Sequence, residues 1–307
     1  PDAILDACSQ VDLFDRRFRR IYEKGIHMLE APAWIRQLSD QTRDIAEPLI
    51  AAGGAGPADQ AQVAQVDAAG TYFYMFNCSP TLPNGEPNPL VDPRIRKALS
   101  MAIDRQAIVD TVTRLHQPTA RTFIPPGVMK DYDSPVDAGV TFNPKEAKKL
   151  LAEAGYADGG KLTGLSLLYT TEGQHQNIAQ AVKAFWQEHL NVTVMLEGIT
   201  TREFGERRKS QNFIIARGSW FGDYRDPTTF LDYLESHNGN NDAKYHNEEY
   251  DALLAEAAKT NDQAKRMTLL RKAEAIMLAD QPIAPIFQYT DFVVFDADRV
   301  EGISMNP

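Results

Sequence analysis

The feature that most constrains this chain is a strand–helix–strand succession between residues 165 and 197. Leu165–Thr170 is a short apolar run typical of a buried strand, and Val192–Glu197 alternates apolar and polar residues as a second strand. Between them, four apolar residues recur at helical spacing: Ile178, Val182, Phe185 and Trp186. This is a β-α-β unit, so we expect two parallel strands joined by a right-handed crossover, with a helix over Gln176–Leu190 on one face, which is an α/β fold.

A third apolar run, Phe213–Ala216, predicts a further strand of the same sheet. The residues after it, Arg217–Asp226, bring cations, carboxylates and aromatic rings together before Pro227. Thr228 and Thr229 are candidate caps for a helix that starts near Phe230. Open α/β sheets bind ligands beyond the carboxyl ends of their strands, so this segment is the leading candidate for a binding loop.

Local signals predict the remaining elements. Asn143 followed by Pro144 and Glu146 is a strong helix start, and Asp104 is a candidate cap for another helix. Gly155 is expected to end the first of these helices. The further expected strands are Thr71–Phe76, Ile283–Gln288 and Phe292–Phe295; the further expected helices are Phe14–Tyr22, Ala33–Glu47, Glu248–Lys259 and Asp262–Asp280, and Ala51–Pro57 is expected to be a linker.

Composition narrows the class of protein. The chain has 307 residues, of which 43% are apolar and 24% charged, as expected of a globular protein with a sizeable core. Its net charge of −10 argues against a nucleic-acid partner, because phosphate neutralisation needs a basic face. No apolar run approaches the roughly 18 residues that span a membrane. Cys8 and Cys78 allow one disulfide, but two unpaired thiols is the simpler expectation.

Three motifs, in one order along the chain, carry a family resemblance. They are the loop Trp220–Leu231, the segment Gly70–Asn77 with Asp92–Arg105 after it, and the helix segment Phe142–Gly155. Together they resemble the extracytoplasmic solute receptors of the oligopeptide/dipeptide ABC-importer class, extracellular solute-binding protein family 5. The resemblance implies a type II periplasmic-binding-protein-like α/β lobe with part of a second lobe.

The resemblance also implies an organisation and a function. Residues 1–92 would be part of the first lobe and the crossing segment, residues 93–282 the second lobe, and residues 283–307 a return to the first lobe. Such receptors are longer, so we expect a C-terminal fragment that lacks most of the first lobe. The implied protein is periplasmic or extracytoplasmic, and the resemblance allows a lipid anchor at a missing N-terminus. It captures a short peptide or another small amine-bearing solute between two lobes and delivers it to a membrane permease.

Four residues are the candidate ligand contacts. By resemblance, Asp223 pairs with the ammonium of a peptide ligand, and Arg217 reaches a ligand carboxylate or forms a salt bridge within the lobe. Trp220 and Tyr224 either wall the cleft or, as aromatic residues near a strand end often do, belong to the core. The less specific alternative for Asp223 is a solvated loop acid or a helix cap.

The alternative class is an enzyme. Asp223 and Asp226, three residues apart on a turn, could form the carboxylate pair of a hydrolase. Asp226 precedes Pro227, however, and is expected to order the turn or cap the following helix. The six histidines are scattered, with His175 and His189 fourteen residues apart on one predicted helix, so we expect no metal site. We therefore expect no catalytic residues and no cofactor.

Overall fold

The computed structural model describes residues 61–296, with side chains placed for residues 65–291. The two N-terminal helices, the linker and Cys8 of the sequence predictions lie outside the described residues. The chain divides into two compact units, and the description below concerns the unit Ala68–Tyr289. The predicted lobe boundaries at residues 92 and 282 stay a prediction. Cys78 carries a free thiol.

A five-stranded mixed sheet forms the centre of the fold. Its strands are β1 (Ala61–Phe76), β2 (Ser166–Thr170), β3 (Met195–Ile199), β4 (Ile215–Phe221) and β5 (Ile283–Asp296), in the order β3-β2-β4-β1-β5. Strand β2 pairs in parallel with both β3 and β4, and β1 runs antiparallel to β4. The predicted parallel β-α-β unit is thereby confirmed.

Helices connect the strands and cover the sheet. They are α1 (Pro93–Met101), α2 (Arg105–Ala107), α3 (Pro144–Glu153), α4 (His175–Leu190), α5 (Thr201–Lys209), α6 (Thr228–Leu231), α7 (Glu248–Lys259) and α8 (Gln263–Asp280). Short 3₁₀ turns cover Pro89–Val91, Val136–Ala138 and Asp232–Leu234. None of the helices within residues 61–296 is both long and apolar enough to cross a bilayer.

The predicted helix signals are present at several ends. The Asn143 side chain accepts the Glu146 N–H at 3.1 Å, and the Asp262 side chain accepts the Lys265 N–H at 3.0 Å. Gly155 follows α3 with φ +92°, a left-handed conformation that glycine adopts without a steric penalty. Asp104 accepts the Ala107 N–H at 3.0 Å, but α2 then continues as a π-helix over Ile108–Val112 instead of an ordinary α-helix.

The sheet has one hydrophobic core on each face. Because successive strand side chains point to opposite faces, Tyr72 and Tyr74 of β1 enter one core while Phe73 and Met75 enter the other. Helices α1 and α4 cover the first face, where the Trp186 indole donates to the Leu99 carbonyl at 2.8 Å. Helices α7 and α8 contribute to the core of the second face.

Several sequence predictions about these elements were wrong. Strand β3 covers Met195–Ile199 and not the predicted Val192–Glu197. Strand β4 starts at Ile215 and extends to Phe221, so half of the predicted loop is strand; Arg217 lies opposite Tyr74. Its Gly218 is required because a side chain there would collide with the Phe73 ring. The two predicted strands around Tyr289-Thr290 are one strand, β5.

A further wrong prediction concerns the caps of α6. The helix starts at Thr228, and neither Thr228 nor Thr229 caps it. Instead, an Asp226 carboxylate oxygen accepts the Thr228 N–H at 3.1 Å and the Thr228 hydroxyl at 2.8 Å. Of the two structural roles expected for Asp226, ordering the turn before the helix is the one observed.

Candidate ligand-binding site

Strand β4 leads into a braced turn, Gly222–Thr229, which we call the signature turn. The Asp223 N–H donates to the Thr229 hydroxyl at 2.9 Å, and the Trp220 indole N–H donates to the Thr229 carbonyl at 2.6 Å. These bonds fold the turn back onto the end of β4. The Asp223 side chain is exposed, and none of the side chains in the described part of the chain donates a hydrogen bond to its carboxylate. The turn thus holds the Asp223 backbone and leaves its charge available.

The second acid of the turn has the opposite environment. The Arg266 guanidinium of α8 binds the Asp226 carboxylate with both of its terminal nitrogens, at 2.6 and 2.8 Å. Burial alone would raise the pKa of this carboxyl, but the hydrogen bonds from Arg266 and Thr228 outweigh burial and hold the pKa below its usual range. Asp226 is therefore an ionised structural acid that is already fully engaged.

Arg217 lies inside the strand, where its side chain is buried beside His175, the first residue of α4. Its Nη2 lies 2.9 Å from His175 Nε2, and its Nη1 donates to the Ser219 hydroxyl at 3.2 Å. The guanidinium carbon also lies 5.9 Å from the centre of the Tyr72 ring. No carboxylate among the described residues pairs with this cation.

The protonation of His175 follows from this geometry. A guanidinium only donates, so His175 Nε2 is the acceptor and the ring proton sits on Nδ1, which lies 3.2 Å from the Tyr72 hydroxyl. Burial, and then the charge of Arg217, lowers the pKa of His175 to about 3. A neutral His175 therefore orients Arg217 without cancelling its charge.

Two buried polar atoms next to this cluster have no partner. They are Arg217 Nε and the Tyr74 hydroxyl oxygen, which belong to residues directly opposite each other on β4 and β1. Burial raises the pKa of Tyr74 well above its usual value, so the hydroxyl is neutral and can donate. Unpaired buried donors beside an uncompensated cation are suited to an anionic group.

The two predicted aromatic contacts differ in exposure. Trp220 is half-buried, with its ring centre 4.7 Å from that of Tyr233, whereas Tyr224 is 51% exposed and its hydroxyl lies 3.3 Å from the Thr228 hydroxyl. Their roles, like those of Asp223 and Arg217, stay predictions. The structure thus brings Trp220, Asp223 and Tyr224 together at the signature turn and places Arg217 further back along β4.

Sequence reasoning missed His175, which it treated as one of several scattered histidines. A signal for it existed, because His175 begins the helix that directly follows β2, and β2 pairs in parallel with β4. Parallel strands end at the same edge of a sheet, so residues just after them come close in space. No cluster of His, Cys, Asp and Glu suited to a metal ion occurs within the described range.

Comparison with known proteins extends these observations. The sequence-family model for "Bacterial extracellular solute-binding proteins, family 5 Middle" matches residues 27–242 of this chain. The chain is 37% identical over 243 residues to the oligopeptide-binding protein OppA of Bacillus subtilis (strain 168). The aligned region covers 77% of this chain and 43% of that protein.

Solved structures agree with this match. The Escherichia coli murein tripeptide binding protein MppA superposes with a TM-score of 0.68 at 32% identity, over 83% of this chain and 50% of that one. OppA of Haemophilus influenzae in complex with the peptide RPPGFSPFR gives 0.64 at 31% identity, over 80% of this chain and 47% of that one. The chain therefore spans half or less of the length of these relatives.

The described residues form a mixed α/β fold in which Asp223 is exposed and Arg217 has no carboxylate partner. The chain belongs to the bacterial extracellular solute-binding proteins of family 5. This confirms the family and the periplasmic-binding-protein-like fold that the three motifs predicted. Members of the family are periplasmic or extracellular proteins that bind substrates and are not enzymes. The proteins named above therefore give the hydrolase alternative no support. In addition, both carboxylate oxygens of Asp226 already accept hydrogen bonds from Arg266.

Proposed function

We propose that this chain is the lobe of an extracytoplasmic receptor that presents charged contacts to a short peptide and delivers it to the permease of an ABC importer. In this proposal residues 93–282 form the second lobe, and a first lobe completes the binding site. Asp223 binds the ammonium of the peptide, and Arg217, oriented by His175, binds a carboxylate. The relatives support the ligand class, since one of them has been solved with a peptide bound.

The proposal rests on one observation: strand β4 and the turn after it carry two charges of opposite sign, and neither has a partner of opposite charge among the described residues. The Asp223 carboxylate is exposed and accepts no hydrogen bond from the described residues, and Arg217 is buried without a carboxylate partner. An ammonium and a carboxylate are the two charges that every unblocked peptide carries. Arg217 lies four residues before the end of β4, about 13 Å along the strand at about 3.3 Å per residue, and Asp223 follows that end by two residues.

The aromatic residues support the same reading of the ligand. Trp220 is braced through Thr229 at the base of the turn, and the Tyr224 ring is exposed at its tip. Such rings accept apolar side chains without selecting among them, and a peptide receptor for mixed sequences needs this tolerance. We infer that selectivity rests on the two charged ends of the ligand, with little contribution from its side chains.

Calorimetry with matched peptides tests the proposal. A polypeptide that carries this chain together with a first lobe is titrated with a tripeptide, its N-acetylated form and its C-terminal amide. We expect each blocked form to bind at least tenfold more weakly, since each loses one charge pair. Equal affinity for all three forms would refute the two-charge site. The 307-residue chain alone should not bind any of them, and no peptide should be hydrolysed.

A further inference from the structure

One ion pair outside the predicted ligand contacts is linked to the Asp223 backbone. Arg266 lies in the first turn of α8, 40 residues after Asp226, and grips both carboxylate oxygens of Asp226. We propose that Arg266 is a positioning residue: through Asp226 it sets the conformation of the signature turn and thereby the direction of the Asp223 carboxylate. This inference rests on the proposed function for its ligand but not for its effect on the turn.

The link runs through four consecutive contacts. Arg266 fixes Asp226, and Asp226 accepts both the N–H and the hydroxyl of Thr228. The Asp226 carbonyl then accepts the Thr229 N–H at 3.1 Å. Thr229 in turn accepts the Asp223 N–H on its hydroxyl, at 2.9 Å. The three contacts after the Arg266–Asp226 pair join residues at most six positions apart, so a shift of Asp226 moves the group that holds Asp223.

Arg266 also separates acids that would otherwise repel one another. Asp232 is half-buried near Asp226 and Glu235, and burial followed by these two charges raises the pKa of Asp232 to about 6. Arg266 is the cation that offsets this repulsion. Without it, Asp226 and Asp232 would face each other as like charges, and the turn would relax away from the end of α8.

The planar fork of arginine matters here. A guanidinium meets both carboxylate oxygens at once and fixes the angle of the carboxylate, whereas an ammonium makes a single point contact. Lys265, the preceding residue, provides a matched control. Its ammonium forms an ion pair with Glu256 at 3.0 Å between two exposed side chains, and among the described residues it forms no ion pair with the signature turn.

Amide hydrogen exchange of the 307-residue chain without ligand tests the effect on the turn. We expect Arg266→Met to speed exchange of the Asp223 amide about tenfold, Arg266→Lys to speed it about threefold, and Lys265→Met to leave it unchanged. Wild-type exchange in both Arg266 variants would overturn the proposal. If Arg266→Met does not fold, Arg266→Lys decides, since it keeps the charge and removes only the fork.

Peptide binding by the polypeptide that carries a first lobe tests the effect on recognition. Arg266→Met should weaken binding of a free-amine tripeptide about tenfold and change binding of its N-acetylated form less than twofold. Equal losses for both peptides would mean that Arg266 merely stabilises the lobe, which contradicts a positioning role. A wild type that does not distinguish the two peptides refutes the proposed function instead, and the exchange data then still decide whether Arg266 orders the turn.

Discussion

Two regions of the molecule bury arginine to the same degree and use it differently. Near the junction of α1 and β5, Arg96 and Arg105 are 4% and 5% exposed, and at the end of β4, Arg217 is 5% exposed. The Arg96 guanidinium donates to four backbone carbonyls, those of Leu90, Val91, Asp280 and Gln281. Arg105 likewise donates to the carbonyls of Pro285, Ser100 and Ile103.

The surroundings of Arg217 offer fewer hydrogen-bond acceptors to its guanidinium. Its acceptors are an imidazole nitrogen and a serine hydroxyl, and its Nε is buried without any acceptor. A buried arginine whose donors are all satisfied by carbonyls stabilises the fold by linking distant backbone segments through hydrogen bonds. A buried cation with donors left over retains the capacity to bind something else. The difference in acceptors, and not in burial, distinguishes the structural arginines Arg96 and Arg105 from Arg217, the proposed ligand contact.

Replacing one arginine from each region tests this distinction between the two kinds of buried arginine. We expect Arg96→Met to lower the free energy of unfolding by about 3–5 kcal/mol, because it leaves several buried carbonyls without donors. Arg217→Met should change it by less than about 1 kcal/mol, since it removes an incompletely satisfied buried charge. Urea unfolding of the 307-residue chain measures both. Equal destabilisation by the two substitutions would contradict the distinction.

The exposed acid of the binding region should dominate recognition. In the polypeptide that carries a first lobe, we expect Asp223→Asn to weaken tripeptide binding by about 2–5 kcal/mol, the usual cost of removing one partner of a buried charge pair. N-acetylation of the peptide should cost the wild type as much and the variant little more. Additive losses in this double-mutant cycle would place the ammonium elsewhere.

The histidine that orients Arg217 predicts a pH dependence. Its pKa is about 3 in the folded chain against 6.5 in the unfolded chain, so between these values the unfolded state binds more protons. The contribution of neutral His175 is therefore complete above pH 6.5 and is lost as the pH falls toward 3. We expect about 3 kcal/mol of this loss between pH 6.5 and pH 4.

Matched histidine variants isolate that contribution. His175→Gln should remove the steeper acid loss, whereas His189→Gln, near the other end of the same helix, should leave the profile of the wild type. Urea unfolding at a series of pH values measures the difference between the variants. Identical pH profiles for His175→Gln and the wild type would show that His175 is protonated in the folded chain.

Most of the fold could be predicted from local patterns. The β-α-β unit and the helices over Glu248–Lys259 and 263–280 follow from periodicity and caps, which act within a few residues. Strand β4 was predicted too short because Arg217, Gly218 and Ser219 are small or charged and resemble a loop. Their strand state comes from pairing with β1, more than 140 residues earlier, and no local pattern reports such a partner.

The candidate site was predictable only where it is contiguous in sequence. The turn residues Trp220, Asp223 and Tyr224 form one motif and were found together. His175 and Arg266 lie 42 residues before Arg217 and 40 residues after Asp226, and each joins the site through one side-chain contact. Residues that act through a single tertiary contact leave no periodic or compositional signal.

The smallest expected effect concerns the engaged acid of the turn. Asp226→Asn keeps an oxygen for the Thr228 N–H but loses the ionic contact with Arg266, so we expect a loss of about 0.5–1 kcal/mol in the free energy of unfolding. The pair is 28% and 20% exposed, which places it between a surface and a buried pair. Glu256→Gln, which breaks the more exposed pair with Lys265, is the control and should cost nothing measurable. A loss above about 2 kcal/mol for Asp226→Asn would mean that this turn stabilises the whole fold, as the carbonyl cluster at Arg96 does. The contrast between the two regions would then not extend to the signature turn.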